Sequence, residues 1–344
     1  MRHLIAAAIL MSIAGTSAAQ PPKRIAALDA VIATVPEFAG LAAVSRDGVT
    51  VHSAAYGLKD RASGMPHSTE QKFRYASVSK MIAVIVALQE VEKGTLALDA
   101  PVVTYLANSG IANADRITVR HLLAHRSGLA DQADFSVPGP DGRIADILEH
   151  CRASAAEPGT VFLYNNCDTI VLGEVLEAIT GSTFLDLVNQ RLAPINVALS
   201  MPDTPQIEAY MDAATIEDPT LPIAFGPSGG LYGTASDLLA IDNALMAGQL
   251  ISAASLAEML KGDPASGFAA LGVWSYEPDL GACLGKTRLV ERYGEINGVQ
   301  VRNFLLPDKN VAFVVYANDR RVEFGQIWQG SGFSIDLLRA AACG

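Results

Sequence analysis

The sequence predicts an α/β (α+β) fold, an antiparallel sheet flanked by helices with an inserted helical domain. Three observations carry this. Extended, β-branched runs cluster near residues 38–57 and again near 288–318, while the chain between them reads as helices and loops. No internal repeat or low-complexity linker separates these parts. Strands at opposite ends of a chain bury their faces by sharing one sheet, so the middle becomes an insertion. The division is an α/β part at about 20–98 and 225–344, with a helical part at about 99–224.

Of the 344 residues, 50% are hydrophobic and 18% charged, which excludes a disordered chain. The 25 Lys+Arg against 36 Asp+Glu leave a net charge of −11. The basic runs are only Lys23-Arg24 and Arg320-Arg321, which argues against nucleic acid or an anionic membrane surface as partner.

The first segment, residues 1–19, reads as a signal peptide. Arg2 and His3 precede a largely apolar run from Leu4 to Ile13, and Ser17-Ala18-Ala19 offers small residues for cleavage before Gln20. The run is too short to span a bilayer, so no stable membrane insertion is expected. The single domain at 20–344 would then be periplasmic or secreted. Four cysteines, Cys151, Cys167, Cys283 and Cys343, would sit in an oxidising compartment. Proximity favours Cys151–Cys167 with Cys283–Cys343, four isolated thiols being the alternative; none has the CxxC spacing of a zinc or redox site.

Ile25, Leu28, Ile32 and Val35 share one face of an amphipathic helix. Two extended runs then flank Asp47-Gly48, a strong hairpin signal. Ser77 opens a helix that is apolar nearly all round until Gln89 and stops at Gly94, which marks it as buried. Further helices end at Gly181 and run through TFLDLVNQRL. Another runs from Ala235 to Gly248, with Thr234 or Ser236 as its cap. KTRLVERYG, GVQVRNFLL and NVAFVVYAND are strands, and SIDLLRAAAC is a closing helix.

Two motifs are decoys. GPSGG (226–230) matches a nucleophile elbow, but no histidine follows it to serve as base, so it reads as a structural turn. His121 and His125 have metalloprotease spacing, yet Leu122 stands where a general-base Glu belongs. They are better read as pinning the loop that follows; no metal and no cofactor is expected.

Ser77-Val78-Ser79-Lys80 places serine and lysine on one helical face, with the serine at the positive end of the helix. An apolar helix behind would desolvate Lys80, lower its pKa and let it accept the serine proton. Tyr164-Asn165-Asn166 offers a phenol that can shuttle a proton beside a cation, and at Asn166 an amide donor and acceptor.

Taken together with GLAAVSRDG, YGLKDRASG, ITVRHLLAHRSGL, EPGTVFLYNN, GPSGGLYGTASDL and LPDKNVAFVVYAND, these segments resemble the serine β-lactamase and penicillin-binding-protein superfamily. The likeness is to its class C β-lactamase, D-alanyl-D-alanine peptidase and family VIII carboxylesterase branch, and runs from about Phe38 to Asn318. It implies a β-lactamase/transpeptidase-like fold with Ser77 as acylated nucleophile and Lys80 as its proton partner. Tyr164 would be the second acid/base and Asn166 part of the substrate site.

The family's third motif, Lys-Thr-Gly or His-x-Gly, is altered. Counting back from Pro307 places it at Arg292-Tyr293-Gly294, with Lys286-Thr287-Arg288 the rival placement. Gly294 would allow close approach to the nucleophile, and the Glu295 N–H would be the second oxyanion donor. Arg292 would fork onto a substrate carboxylate or hold the field at Tyr164. The Glu295 carboxylate opposes developing negative charge unless it points away or pairs with an arginine.

The expected function is an exported serine hydrolase acting through an acyl-enzyme on an ester or amide, as esterase, D-amino-acid peptidase or β-lactamase-like enzyme. Its substrate would be a small molecule or peptidoglycan-derived, with small esters and D-amino-acid acyl groups favoured by the irregular third motif. The alternative is a non-catalytic protein of this fold that binds a peptidoglycan fragment or a protein partner.

Overall fold

A computed structural model describes residues 24–131, 147–202, 207–217 and 225–344. The expected signal peptide at 1–19 lies outside the described residues. In chain order, helix α1 (Ala26–Ile32) precedes strands β1 (Gly40–Arg46) and β2 (Val49–Tyr56). Two short pairs follow: β3 (Leu58–Asp60) with β4 (Met65–Pro66), and β5 (Phe73–Arg74) with β6 (Tyr232–Gly233). The helices are α2 (Ser79–Glu92), α3 (Val119–Leu123), α4 (Cys167–Thr180), α5 (Phe184–Leu192), α6 (Gly226–Gly229), α7 (Ala235–Met246) and α8 (Ala253–Met259). Strands β7 (Trp274–Tyr276), β8 (Leu289–Ile296), β9 (Val299–Leu306) and β10 (Val311–Ala317) lead to α9 (Phe333–Cys343).

Six strands form one antiparallel sheet in the order β2-β1-β10-β9-β8-β7, so both ends of the chain meet in it. Asp47 and Gly48 turn the first hairpin with φ of 49° and 74°, as a tight two-residue turn requires. Alternation along β1 sends Ala42 and Val44 to one face and Leu41 and Ala43 to the other. The first face packs on α1 and α9 through Leu28, Leu338, Phe304 and Phe313. The second packs on α2, α4 and α7, where Met81, Ile85, Val171 and Leu238 are fully buried. With apolar residues on every side, α2 runs through this core, each buried Ile or Val contributing about 1.5–3 kcal/mol.

Caps follow the sequence signals. Thr234 accepts from the Asp237 N–H in a capping box, and Gly181 ends α4 at φ 69°. One boundary differs. Ser77 lies not in α2 but in a single 3₁₀ turn, Ala76–Val78, ahead of it. Ala76 sits at φ 48°, a left-handed conformation, and α-helical geometry begins only at Ser79, two residues after Ser77.

All four cysteines are paired, Cys151 with Cys167 and Cys283 with Cys343, the arrangement proximity favours. Among the described residues no helix is long and apolar enough to cross a membrane, and no group of three or more His, Cys, Asp or Glu is placed to hold a metal ion.

Candidate active site

The Ser77 bend is fixed from behind. The Tyr75 N–H donates to the Leu231 carbonyl at 2.8 Å, and the Tyr75 hydroxyl to the Thr234 carbonyl at 2.7 Å. In front, β8 passes so closely that a Cβ on Gly294 would lie 2.3 Å from the Tyr75 carbonyl oxygen and 3.2 Å from the Ser77 nitrogen. Only glycine fits there.

Lys80, one helical turn on, is 1% exposed. Its ammonium donates to Ser77 Oγ at 3.2 Å, to Asn166 Oδ1 at 2.7 Å and to the Ser228 carbonyl at 2.8 Å. Three donors meet three acceptors, which suits a charged ammonium. Burial nevertheless lowers its pKa, and nearby Arg292 adds to that.

Tyr164 stands just ahead of α4. Its hydroxyl donates to Ser77 Oγ at 3.0 Å and accepts from Arg292 Nη2 at 2.8 Å. The residue is 37% exposed and lines the cleft, while its hydroxyl bonds to Ser77 and Arg292. Burial would raise the phenol, but Arg292 and Lys80 outweigh it and bring the pKa down to about 8. The ring is held against His125, with centroids 4.6 Å apart. His125 Nδ1 faces Asp168 Oδ2 at 3.3 Å, burial keeping the imidazole neutral and raising the Asp168 carboxyl well above its usual range.

Asn166 is held by Asp131, whose carboxylate accepts from the Asn166 N–H at 2.9 Å and from Nδ2 at 3.2 Å. Burial raises the Asp131 pKa, these bonds and Lys80 opposing it.

Ser77, Lys80, Tyr164, Asn166, Arg292 and Gly294 therefore converge. Arg292, 1% exposed, spends its guanidinium on the protein, donating from Nε to the Ser77 carbonyl at 2.8 Å and from Nη2 to Tyr164. Glu295 is exposed, and its carboxylate pairs with Arg302 Nη2 at 2.5 Å. Lys286-Thr287-Arg288 precedes β8. A cavity of about 240 Å³ opens over Ser77, lined by Tyr164, Trp274, Arg292, Tyr293, Glu295 and Gln326.

Sequence reasoning missed three contributors. The GPSGG turn supplies the Ser228 carbonyl to Lys80, a backbone acceptor that no residue type announces. Asp131 follows the HRSGL run but carries no motif of its own. Trp274 sits 6.1 Å from the Tyr164 ring on a three-residue strand too short to show periodicity.

The alignments with known proteins point the same way. The chain is 28% identical over 215 residues to penicillin-binding protein 4 of Amycolatopsis lactamdurans, covering 57% of this chain and 56% of that protein. It is 35% identical over 173 residues to the esterase EstB of Burkholderia gladioli, 44% of each. The chain thus spans about half the length of these curated relatives. Its fold is similar to that of a D-stereospecific amidohydrolase from Streptomyces sp., with a TM-score of 0.74 at 23% identity over 94% of this chain and 99% of that one. The family model described as Beta-lactamase matches residues 28–328, and the chain belongs to that family.

Proposed function

We propose that this protein is an exported serine hydrolase that forms an acyl-enzyme at Ser77 on small esters or D-amino-acid-type amides. The observation that carries the reading is the Tyr164 hydroxyl, 3.0 Å from Ser77 Oγ, with its pKa lowered to about 8 by Arg292 and Lys80 against the effect of burial. Export rests on the expected signal peptide, and the two disulfides support it.

Tyr164 as phenolate accepts the Ser77 proton while Lys80, its three donors engaged, remains the ammonium that holds Ser77, Asn166 and the Ser228 carbonyl in place. Ser77 Oγ attacks the carbonyl carbon, and the tetrahedral oxyanion is held by the Ser77 N–H and the Glu295 N–H. The register supports the second donor. Ile296 pairs with Val299 across a two-residue turn, so alternation directs the Glu295 N–H away from β9 toward the cleft. The Glu295–Arg302 pair offsets the carboxylate beside it. Tyr164 then returns its proton to the leaving group. In the second half water, deprotonated by Tyr164, attacks the acyl carbon, and the bond to Ser77 Oγ breaks as Tyr164 hands that proton back to Oγ, releasing the acid.

The protein-bound Arg292 supports the substrate preference. With Nε on the Ser77 carbonyl and Nη2 on Tyr164, the side-on edge of its guanidinium is already engaged, which weakens the fork it can offer a substrate carboxylate. Neutral esters and amides are thereby favoured over penicillins.

The test is intact mass after incubation of wild type and Ser77→Ala with a fluorophosphonate and, separately, a penicillin. The expected result is a stoichiometric fluorophosphonate adduct on wild type, absent in the variant, with slower or no penicillin adduct. No adduct from either reagent on folded protein overturns the hydrolase reading and leaves a binding role.

A further inference from the structure

A second cavity, of about 510 Å³, adjoins the one over Ser77 and shares Trp274, Tyr293 and Gln326 with it. Its other walls are Phe268, Tyr276 and Trp328, and Trp328 is 69% exposed at the rim. Beneath these aromatic side chains lies one carboxylate, Glu291, 4% exposed. It accepts from the Tyr276 hydroxyl at 2.9 Å and the Tyr293 hydroxyl at 2.6 Å, which fixes both phenols in the wall.

Aromatic walls alone would suit any apolar group. The buried carboxylate decides otherwise, because its two cationic neighbours are committed elsewhere. Arg302 stacks on the Tyr293 ring at 4.7 Å and donates to Glu295 and Gln300. Arg292 lies 5.2 Å from the Trp274 ring and donates to Ser77 and Tyr164. Neither forms an ion pair with Glu291; the Arg302 charge offsets burial only in part, so a bound cation would draw the carboxyl into its ionised form beneath the electron-rich ring faces. An organic cation gains from both, through ring quadrupoles and the carboxylate, and its alkyl groups fill the apolar space. Burial pushes Glu291 up to about 7, the cost of a carboxylate that a bound cation would offset.

We infer that this cavity is a subsite for an ammonium group on an arm of the substrate, which makes amine-bearing esters or amides the preferred class. The inference rests on the acyl-enzyme reading for its catalytic meaning. The binding step is measurable without it.

Trp274 and Trp328, the chain's 2 tryptophans, both line this cavity, and Trp328 does not border the one over Ser77, so selectively excited tryptophan fluorescence reports on it. Choline and its neutral isostere 3,3-dimethylbutan-1-ol are titrated into wild type, Ser77→Ala and Glu291→Gln, with thermal melts checking that each is folded. The expected result is saturable quenching by choline in wild type and Ser77→Ala, at least about tenfold weaker for the isostere and for choline on Glu291→Gln. Equal affinity for the two ligands, or equal weakening of both in Glu291→Gln, overturns the inference in favour of an apolar pocket. Turnover completes the test: kcat/KM for acetylcholine should exceed that for 3,3-dimethylbutyl acetate at least about tenfold, and the ratio should fall toward one in Glu291→Gln. Choline binding without that preference overturns the substrate-arm assignment. Absence of acylation by fluorophosphonate alongside normal choline binding to Ser77→Ala would be a failure of the hydrolase reading, not of the subsite.

Discussion

Arg292 donates to the Tyr164 hydroxyl at 2.8 Å, and on the proposed mechanism that bond makes an altered third motif a control on the acid/base group. Tyr164 becomes a base only when deprotonated, so kcat/KM should rise with pH through about 8.

Removing the Arg292 charge lets burial dominate the phenol. In Arg292→Gln the rising limb should move to higher pH by about one unit or more, with kcat/KM at pH 7.5 falling by about tenfold or more. Arg292→Lys keeps the charge but loses the fork, and should recover part of the shift. A pH–rate profile on a neutral ester checks this; an unmoved limb would mean that Tyr164 is not the titrating base.

Gly294→Ala places a Cβ 2.3 Å from the Tyr75 carbonyl and 3.2 Å from the Ser77 nitrogen. Strand and nucleophile turn must separate, and a shift of about 1 Å costs on the order of a hundredfold in rate. The variant should melt at lower temperature and lose at least that much kcat, measured by circular dichroism and ester hydrolysis.

Asp242 on α7 is fully buried and accepts from Asn303 Nδ2 at 3.0 Å, while Asp242 Oδ2 and Asn303 Oδ1 have no other partner. Burial raises its pKa to about 8. A folded-state value above the unfolded one means that the group's stabilisation is complete below about 4 and is lost as pH rises through 8. Asp242→Asn keeps the amide-sized pair but cannot ionise. Melting curves should show it close to wild type at acid pH and more stable than wild type at pH 9.

The Cys151–Cys167 disulfide anchors the residue next to Asn166, whereas Cys283–Cys343 fastens α9 far along the chain. Replacing Cys151 and Cys167 by Ala should cost about 3 kcal/mol and lower kcat as Asn166 loosens. Replacing Cys283 and Cys343 should cost about 4 kcal/mol with kcat retained. Denaturant melts and steady-state kinetics on both double variants separate the two roles.

The sheet was legible because its signals are local. Asp47-Gly48, the β-branched runs of β8 to β10 and the caps at Gly181 and Thr234 each act within a few residues. Ser77, Lys80, Tyr164 and Asn166 stood out because side-chain chemistry and spacing announce them. What stayed hidden depends on three-dimensional approach. The Ser228 carbonyl is backbone, the Arg292 bond to Tyr164 spans 128 residues, and the left-handed Ala76 ahead of the helix follows from tertiary constraint rather than propensity. The aromatic cavity draws on β8 together with the three-residue β7 and two loop segments too short to show a period.

The cleft is stitched from segments 87, 148 and 215 residues apart, joining Tyr164 to Ser77, Lys80 to Ser228 and Arg292 to Ser77. Such distant pairings form late, after the loops between them have closed. A chain still being synthesised holds Ser77 in the turn ahead of Lys80 but has no strand β8 and no Arg292 beside the Tyr164 phenol. On the proposed mechanism the topology would act as a built-in safety catch, with acyl transfer waiting until the β8–β9 hairpin docks. Regained hydrolysis during refolding would then time the docking of that hairpin.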